Sequence, residues 1–160
     1  QLWISNGRKS WCESRDGTFL KNNLLQNKRK IHDMTIVTSK NHSNQTLKKV
    51  IEKLNFKDQI VMGSVGCKIA SILRGESNIY ICLSLPGKSS PKDWDFAAPE
   101  AILKTAGGSL TNLNNDELSY GGSNFEQGGI IVATSGKISH KSICSQIMQV
   151  IRKFDLYPFD

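Results

Sequence analysis

The chain has 160 residues, a length that normally makes one domain with a real core, and carries a formal net charge of +7. Its hydrophobic fraction of 38% and charged fraction of 22% describe a soluble globular protein, with no membrane-length apolar run and no signal-peptide pattern, so no membrane partner is expected. The positive balance suits an anionic ligand. Nucleic acid is the rival partner, but helix-turn-helix, basic-helix and aromatic-sheet motifs are all missing, so none is expected.

The opening Gln1-Leu2-Trp3-Ile4 is strand-like and has no Met, which reads as a cut, with more of the protein upstream. Leu2 to Glu13 reads as a hairpin around a type I′ turn at Asn6-Gly7, and Asp16-Gly17 as a second turn. Gln26 to His32, including the basic run Lys28-Arg29-Lys30, reads as a solvated loop or linker. From residue 34 onward short apolar runs alternate with helical patterns. Met34-Thr35-Ile36-Val37 precedes a helix bearing Leu47, Val50, Ile51 and Leu54 on one face. Ile60-Val61-Met62 precedes a helix with Ile69, Ile72 and Leu73 inward, and Ile79–Leu83 is a further strand. Pro86 to Pro91 is turn-rich, and a small-residue helix then runs to Gly107-Gly108, either of which can close it in the left-handed conformation. A polar loop spans Asn112 to Gln127, and Gly129–Ala133 reads as a strand covered on both faces. The last helix carries Ile143, Ile147, Ile151 and Phe154.

This pattern predicts a layered α/β/α domain with a mostly parallel or mixed sheet over 34–160, preceded over 1–33 by a β-hairpin and linker. Cys12, Cys67, Cys82 and Cys144 show no Cys-x-x-Cys and no zinc spacing, so free thiols in a reducing compartment, the cytoplasm, are expected.

Three strand-to-helix junctions stand out: Ser39 to His42, Ser64 to Lys68, and Asp93 to Asp95. Open α/β sheets bind ligands at such strand ends, where helix N-termini offer free N–H groups to phosphate. Taken singly, Ser39 and Ser64 read as caps, Lys68 as solvated and His42 as an ordinary loop histidine. Asp95 lies where its helix begins, so its carboxylate can meet first-turn N–H groups or turn outward to hold a cation. Pro99 reads as a first-turn proline, tolerated because those N–H groups have no helical acceptor.

The string Trp94-Asp95-Phe96-Ala97-Ala98-Pro99-Glu100 resembles the second signature of the magnesium-dependent inositol-monophosphatase superfamily, in which the Asp after the Trp is a metal ligand. It looks most like the 3′(2′),5′-bisphosphate nucleotidase branch. Ser39-Lys40-Asn41-His42-Ser43-Asn44 matches that branch's Ser/Thr-x-x-His-Ser-Asn loop, and Ser64-Val65-Gly66-Cys67-Lys68 its turn with a Lys four residues on. The resemblance implies that Ser39, His42, Ser64 and Lys68 bind a nucleotide bisphosphate and that Asp95 binds Mg2+. It further implies a phosphatase that converts adenosine 3′,5′-bisphosphate to AMP, a by-product-recycling step of sulfate assimilation. An inositol-phosphate or sugar-bisphosphate phosphatase of the same superfamily is the nearest alternative, and a non-catalytic anion- or nucleotide-binding domain the next.

The two upstream acidic signatures of active relatives, Gly-Asp-x-Glu and Asp-Pro-x-Asp-Gly-Thr, are missing. Asp16-Gly17-Thr18 follows Glu13-Ser14-Arg15 and reads as a turn, not a metal site. Asp93 reads as a solvated loop carboxylate, with an outer-sphere contact to the metal as the alternative. One carboxylate cannot define two octahedral magnesium sites, so the chain alone is expected to be inactive and the N-terminal half of the same protein to be its partner.

Overall fold

Residues 1–20, 30–40 and 44–159 are described by the structure, a computed structural model. The expectations for Gln26–Arg29 and for His42 lie outside the described residues.

Two sheets organise the chain. The first is antiparallel and three-stranded: β1 (Leu2–Ser5), β2 (Ser10–Glu13) and β3 (Phe19–Leu20). The β1–β2 connection differs from a type I′ turn. It is a four-residue loop in which the Asn6 N–H bonds the Lys9 carbonyl and the Asn6 side chain accepts from the Arg8 and Lys9 N–H groups. Gly7 has φ +81° while Asn6 stays out of the left-handed region that a type I′ turn requires of both central residues. The Asp16-Gly17 turn forms as expected. Asp16 accepts from the Ser14 hydroxyl and the Thr18 N–H, which hold its carboxyl down at about 2.

The second sheet has strand order β5-β4-β6-β8-β7. Its strands are β4 (Thr35–Ser39), β5 (Asp58–Met62), β6 (Ile79–Leu83), β7 (Ser109–Asn112) and β8 (Ile130–Thr134). The pairings β5–β4 and β4–β6 are parallel, and β8 is antiparallel to both its neighbours. The sheet is therefore mixed, with β8 alone reversed. A single 3₁₀ turn at Ile31–Asp33 leads into β4 and buries Ile31, where a polar linker was expected.

Strand alternation divides the core in two. Ile36, Ile79, Ile81, Leu83, Ile130 and Val132 face α1 (Gln45–Leu54) and α4 (Lys137–Lys153). Val37, Tyr80, Leu110, Ile131 and Ala133 face α2 (Val65–Leu73) and α3 (Asp93–Ala106). Period-2 side chains on doubly covered strands give this α/β/α layering directly. The small sheet sits against α3, where Trp3 joins the second cluster and the Ser5 hydroxyl donates to that of Thr105 at 2.9 Å.

Several local expectations change. Pro99 is the seventh residue of α3, not a first-turn residue, so it withholds an N–H from the Asp95 carbonyl one turn back. Phe154 caps α4 instead of extending its buried stripe and is 42% exposed between Lys53 and Lys153. Gly107, at φ +100°, ends α3. Gly108 enters β7 so closely that a Cβ there would lie 2.5 Å from Leu103 Cδ1 and 2.8 Å from the Thr134 carbonyl oxygen.

Candidate active site

The chain reverses direction across the sheet between β4 and β6. After β4 it turns to α1 on one face; after β6 it turns to α3 on the other. The crevice at such a switch point, beyond the carboxyl ends of the strands, is where open α/β sheets take ligands. A cleft of about 780 Å³ lies there, lined by Ser39, Ser64, Lys68 and Asp95 together. Four of the five expected site residues, from three separate junctions, thus share one cavity.

Each is held by local structure. Ser39 ends β4, and the next N–H, that of Lys40, bonds the Met62 carbonyl of β5 at 2.9 Å. Ser64 is the N-cap of α2, its Oγ accepting from the Cys67 N–H at 3.2 Å. Among the described residues that leaves the hydroxyl proton and the Val65 and Gly66 N–H groups free to donate to an anion. Asn44 caps α1 by accepting from the Leu47 N–H at 2.8 Å, while its Nδ2 donates to the Leu83 carbonyl at 2.9 Å. It thereby ties the start of α1 to the end of β6.

Lys68 is not solvated. It is only 2% exposed, its Nζ donates to the Gly63 carbonyl and lies 5.1 Å from the Tyr80 ring centroid. Burial pushes its pKa down, opposed in part by the negative charge of nearby Asp95. The same burial raises the Tyr80 hydroxyl and the Cys82 thiol, keeping both neutral. The floor of the cleft is therefore a fixed lysine over an uncharged surface.

Asp95 is the third residue of α3, with Lys92 in the N-cap position, so it is not itself the cap. Its Oδ2 accepts from the Lys92 N–H at 2.9 Å, the back-reaching half of a capping box. Its other oxygen has no hydrogen-bond partner among the described residues. Asp93, expected in solvent, is buried and structural. It accepts from the Gly121 N–H at 2.7 Å and from Gln127 Nε2 at 2.6 Å, and that nitrogen also donates to the Ser119 carbonyl. Tyr120 donates to Glu100, and Lys104 bridges Glu100 and Glu117. These contacts clamp the β7–β8 loop onto α3 and fix the angle at which Asp95 enters the cleft.

Among the described residues no group of three or more His, Cys, Asp or Glu side chains is placed to hold a metal ion. Asp95 offers one carboxylate oxygen, and its nearest acidic neighbour in the helix is committed elsewhere. These residues fit a single ligand, not a complete site. No helix among them is long and apolar enough to cross a membrane.

The profile of the inositol monophosphatase family matches residues 1–152. The chain belongs to the inositol monophosphatase family. Among curated family relatives, mouse 3′(2′),5′-bisphosphate nucleotidase 1 is 36% identical over 85 residues, which are 53% of this chain and 26% of that protein. Inositol monophosphatase 3 of Xenopus laevis is 25% identical over 152 residues, 91% of this chain and 40% of its own. Among solved structures, inositol monophosphate-bound SaIMPase-II superposes with a TM-score of 0.67 at 18% identity, covering 96% of this chain and 54% of that one. The chain thus spans about half or less of each relative's length, and the inositol monophosphatase fold of its described part is shared.

Sequence reasoning passed over most other residues of the cleft, Asn44, Cys82 and Lys88 among them. Asn44 stood inside a quoted motif, and its Asx-type cap was readable as such. Cys82 and Lys88 had no local pattern; only the strand ends bring them to the cavity.

Proposed function

We propose that this chain is the C-terminal part, with 1–33 as the tail of the preceding domain and 34–160 as the α/β domain, of a magnesium-dependent phosphatase. The substrate is adenosine 3′,5′-bisphosphate, which loses its 3′-phosphate to water and leaves AMP. One observation carries the reading: Ser39, Ser64, Lys68 and Asp95 meet in one cleft at the switch point of the sheet. The names of the bisphosphate nucleotidase relatives supply the nucleotide.

In this reading Ser39 and Ser64 donate to phosphate oxygens, helped by the N-terminus of α2. Lys68 holds the cleft floor in shape and biases its potential toward anions. Asp95 contributes one oxygen to a divalent cation whose remaining ligands come from the N-terminal half. When bound, the cation offsets charge on the phosphoryl oxygens. His42 belongs to the same reading as a contact to the nucleoside. A polyol phosphate is the second reading, favoured by the match of inositol monophosphatase 3 to 91% of the chain.

The test is phosphate release from adenosine 3′,5′-bisphosphate and from inositol 1-phosphate with magnesium, by this chain and by the protein extended to the length of its relatives. The extended protein should turn over the bisphosphate faster, and the chain alone should turn over neither. Preference for inositol 1-phosphate would select the second reading, and turnover by the chain alone would refute the shared metal site.

A further inference from the structure

We propose that Lys88, on the β6–α3 loop, is the specificity residue that receives the second, non-reacting phosphate of a nucleoside bisphosphate; this rests on the nucleotidase reading above. The observation is how the lysines in and beside the cleft are employed; Lys40, at the end of β4, is exposed but does not line it. Lys68 is buried, with its ammonium on the Gly63 carbonyl. Lys92 bonds Glu126 Oε1 at 2.8 Å and the Asn124 carbonyl at 3.2 Å. Lys88 is exposed and lines the cleft beside Ser89 and Ser90, and its side chain has no partner among the described residues.

The loop that carries it is built to hold that position. Its stem is fixed on one side by the Ser84 N–H on the Gly129 carbonyl at 2.8 Å and by the Tyr157 hydroxyl on the Ser84 carbonyl. On the other side the Gln127 N–H bonds the Pro91 carbonyl at 2.8 Å. Between these anchors the Lys88 N–H closes a turn on the Leu85 carbonyl, with Gly87 at φ +69°. The anchored stem thus places Lys88, Ser89 and Ser90 on the same cavity as Asp95. A substrate with one phosphate at Asp95 and another some way off needs a second cationic locus, because a dianion left in the cleft without one loses its water for nothing in return. Lys68 is already engaged; Lys88 is available.

The experiment measures kcat/KM in the N-terminally extended protein for adenosine 3′,5′-bisphosphate and for 3′-AMP, which keeps the reacting phosphate and the nucleoside but lacks the second phosphate. Wild type should prefer the bisphosphate. Lys88→Ala should lower that preference about tenfold, mainly through KM, as for loss of one charge-assisted hydrogen bond at a wet site. Lys88→Arg should keep most of the preference, and added salt should erode it in wild type more than in Lys88→Ala. A wild-type preference that survives Lys88→Ala would overturn the assignment of Lys88 and leave the nucleotidase reading standing. A wild type with no preference would overturn both.

Discussion

Asp93→Ala should cost about 3 kcal/mol of folding stability, far more than an ordinary surface carboxylate. Asp93 is 9% exposed and accepts two hydrogen bonds, 2.7 Å from the Gly121 N–H and 2.6 Å from Gln127 Nε2. Bonds to a charged acceptor are worth about 1.5–3 kcal/mol each, and their loss leaves the Gly121 N–H without its acceptor. Taking the low end twice gives about 3 kcal/mol, or a Tm lower by about 10 °C at this chain length. Asp95→Ala removes one bond, to the Lys92 N–H at the helix start, and should cost about 1 kcal/mol, as capping losses do. Urea denaturation of wild type and both variants, followed by circular dichroism, gives the comparison. An Asp93 variant no less stable than the Asp95 variant would refute the clamp between α3 and the β7–β8 loop.

His140 should make the fold acid-sensitive in a defined window. It is buried between the hydroxyls of Thr111 and Thr134, and burial holds its pKa down at about 4 against 6.5 when free. The unfolded chain therefore takes up the proton first. The His140 contribution, read as the difference between wild type and His140→Gln, should be constant above pH 6.5, fall by up to about 3 kcal/mol between pH 6.5 and 4, and level off below; a wild-type slope matched by His140→Gln would contradict this. Gly108→Ala should cost about 1–3 kcal/mol by overpacking, since its Cβ would meet buried Leu103 at 2.5 Å; a Tm within a degree of wild type would contradict it.

The fold was readable where periodicity is strong. Ile79–Leu83 and Ile130–Thr134 are apolar on both faces because helices cover both, and the α1 stripe of Leu47, Val50 and Leu54 is buried as its spacing requires. β7 was hidden because Ser109-Leu110-Thr111-Asn112 has one large apolar residue; its strand character comes from pairing with β8. Asp93 could not be read as buried, because its partners lie 28 and 34 residues along the chain. The gathering of Ser39, Ser64, Lys68 and Asp95 was legible as motifs at strand ends, whereas the burial of Lys68 was not. A lysine one turn into an amphipathic helix looks solvated until Gly63 and Tyr80 close over it. His140 did carry a signal, since it falls one turn before Ile143 and Cys144 on the inward face of α4.

The most direct test of the account is where the product binds. Titration of the 15N-labelled chain with AMP should move the amide resonances of Ser39, Ser64, Val65, Gly66 and Asp95, at the ends of β4 and β5 and the first turns of α2 and α3. Lys88 should move with them, and the amides around His140 at the opposite end of the sheet should stay still. Shifts confined instead to the apolar groove lined by Trp3, Leu73 and Ile102 would contradict the claim that this cleft is the nucleotide site.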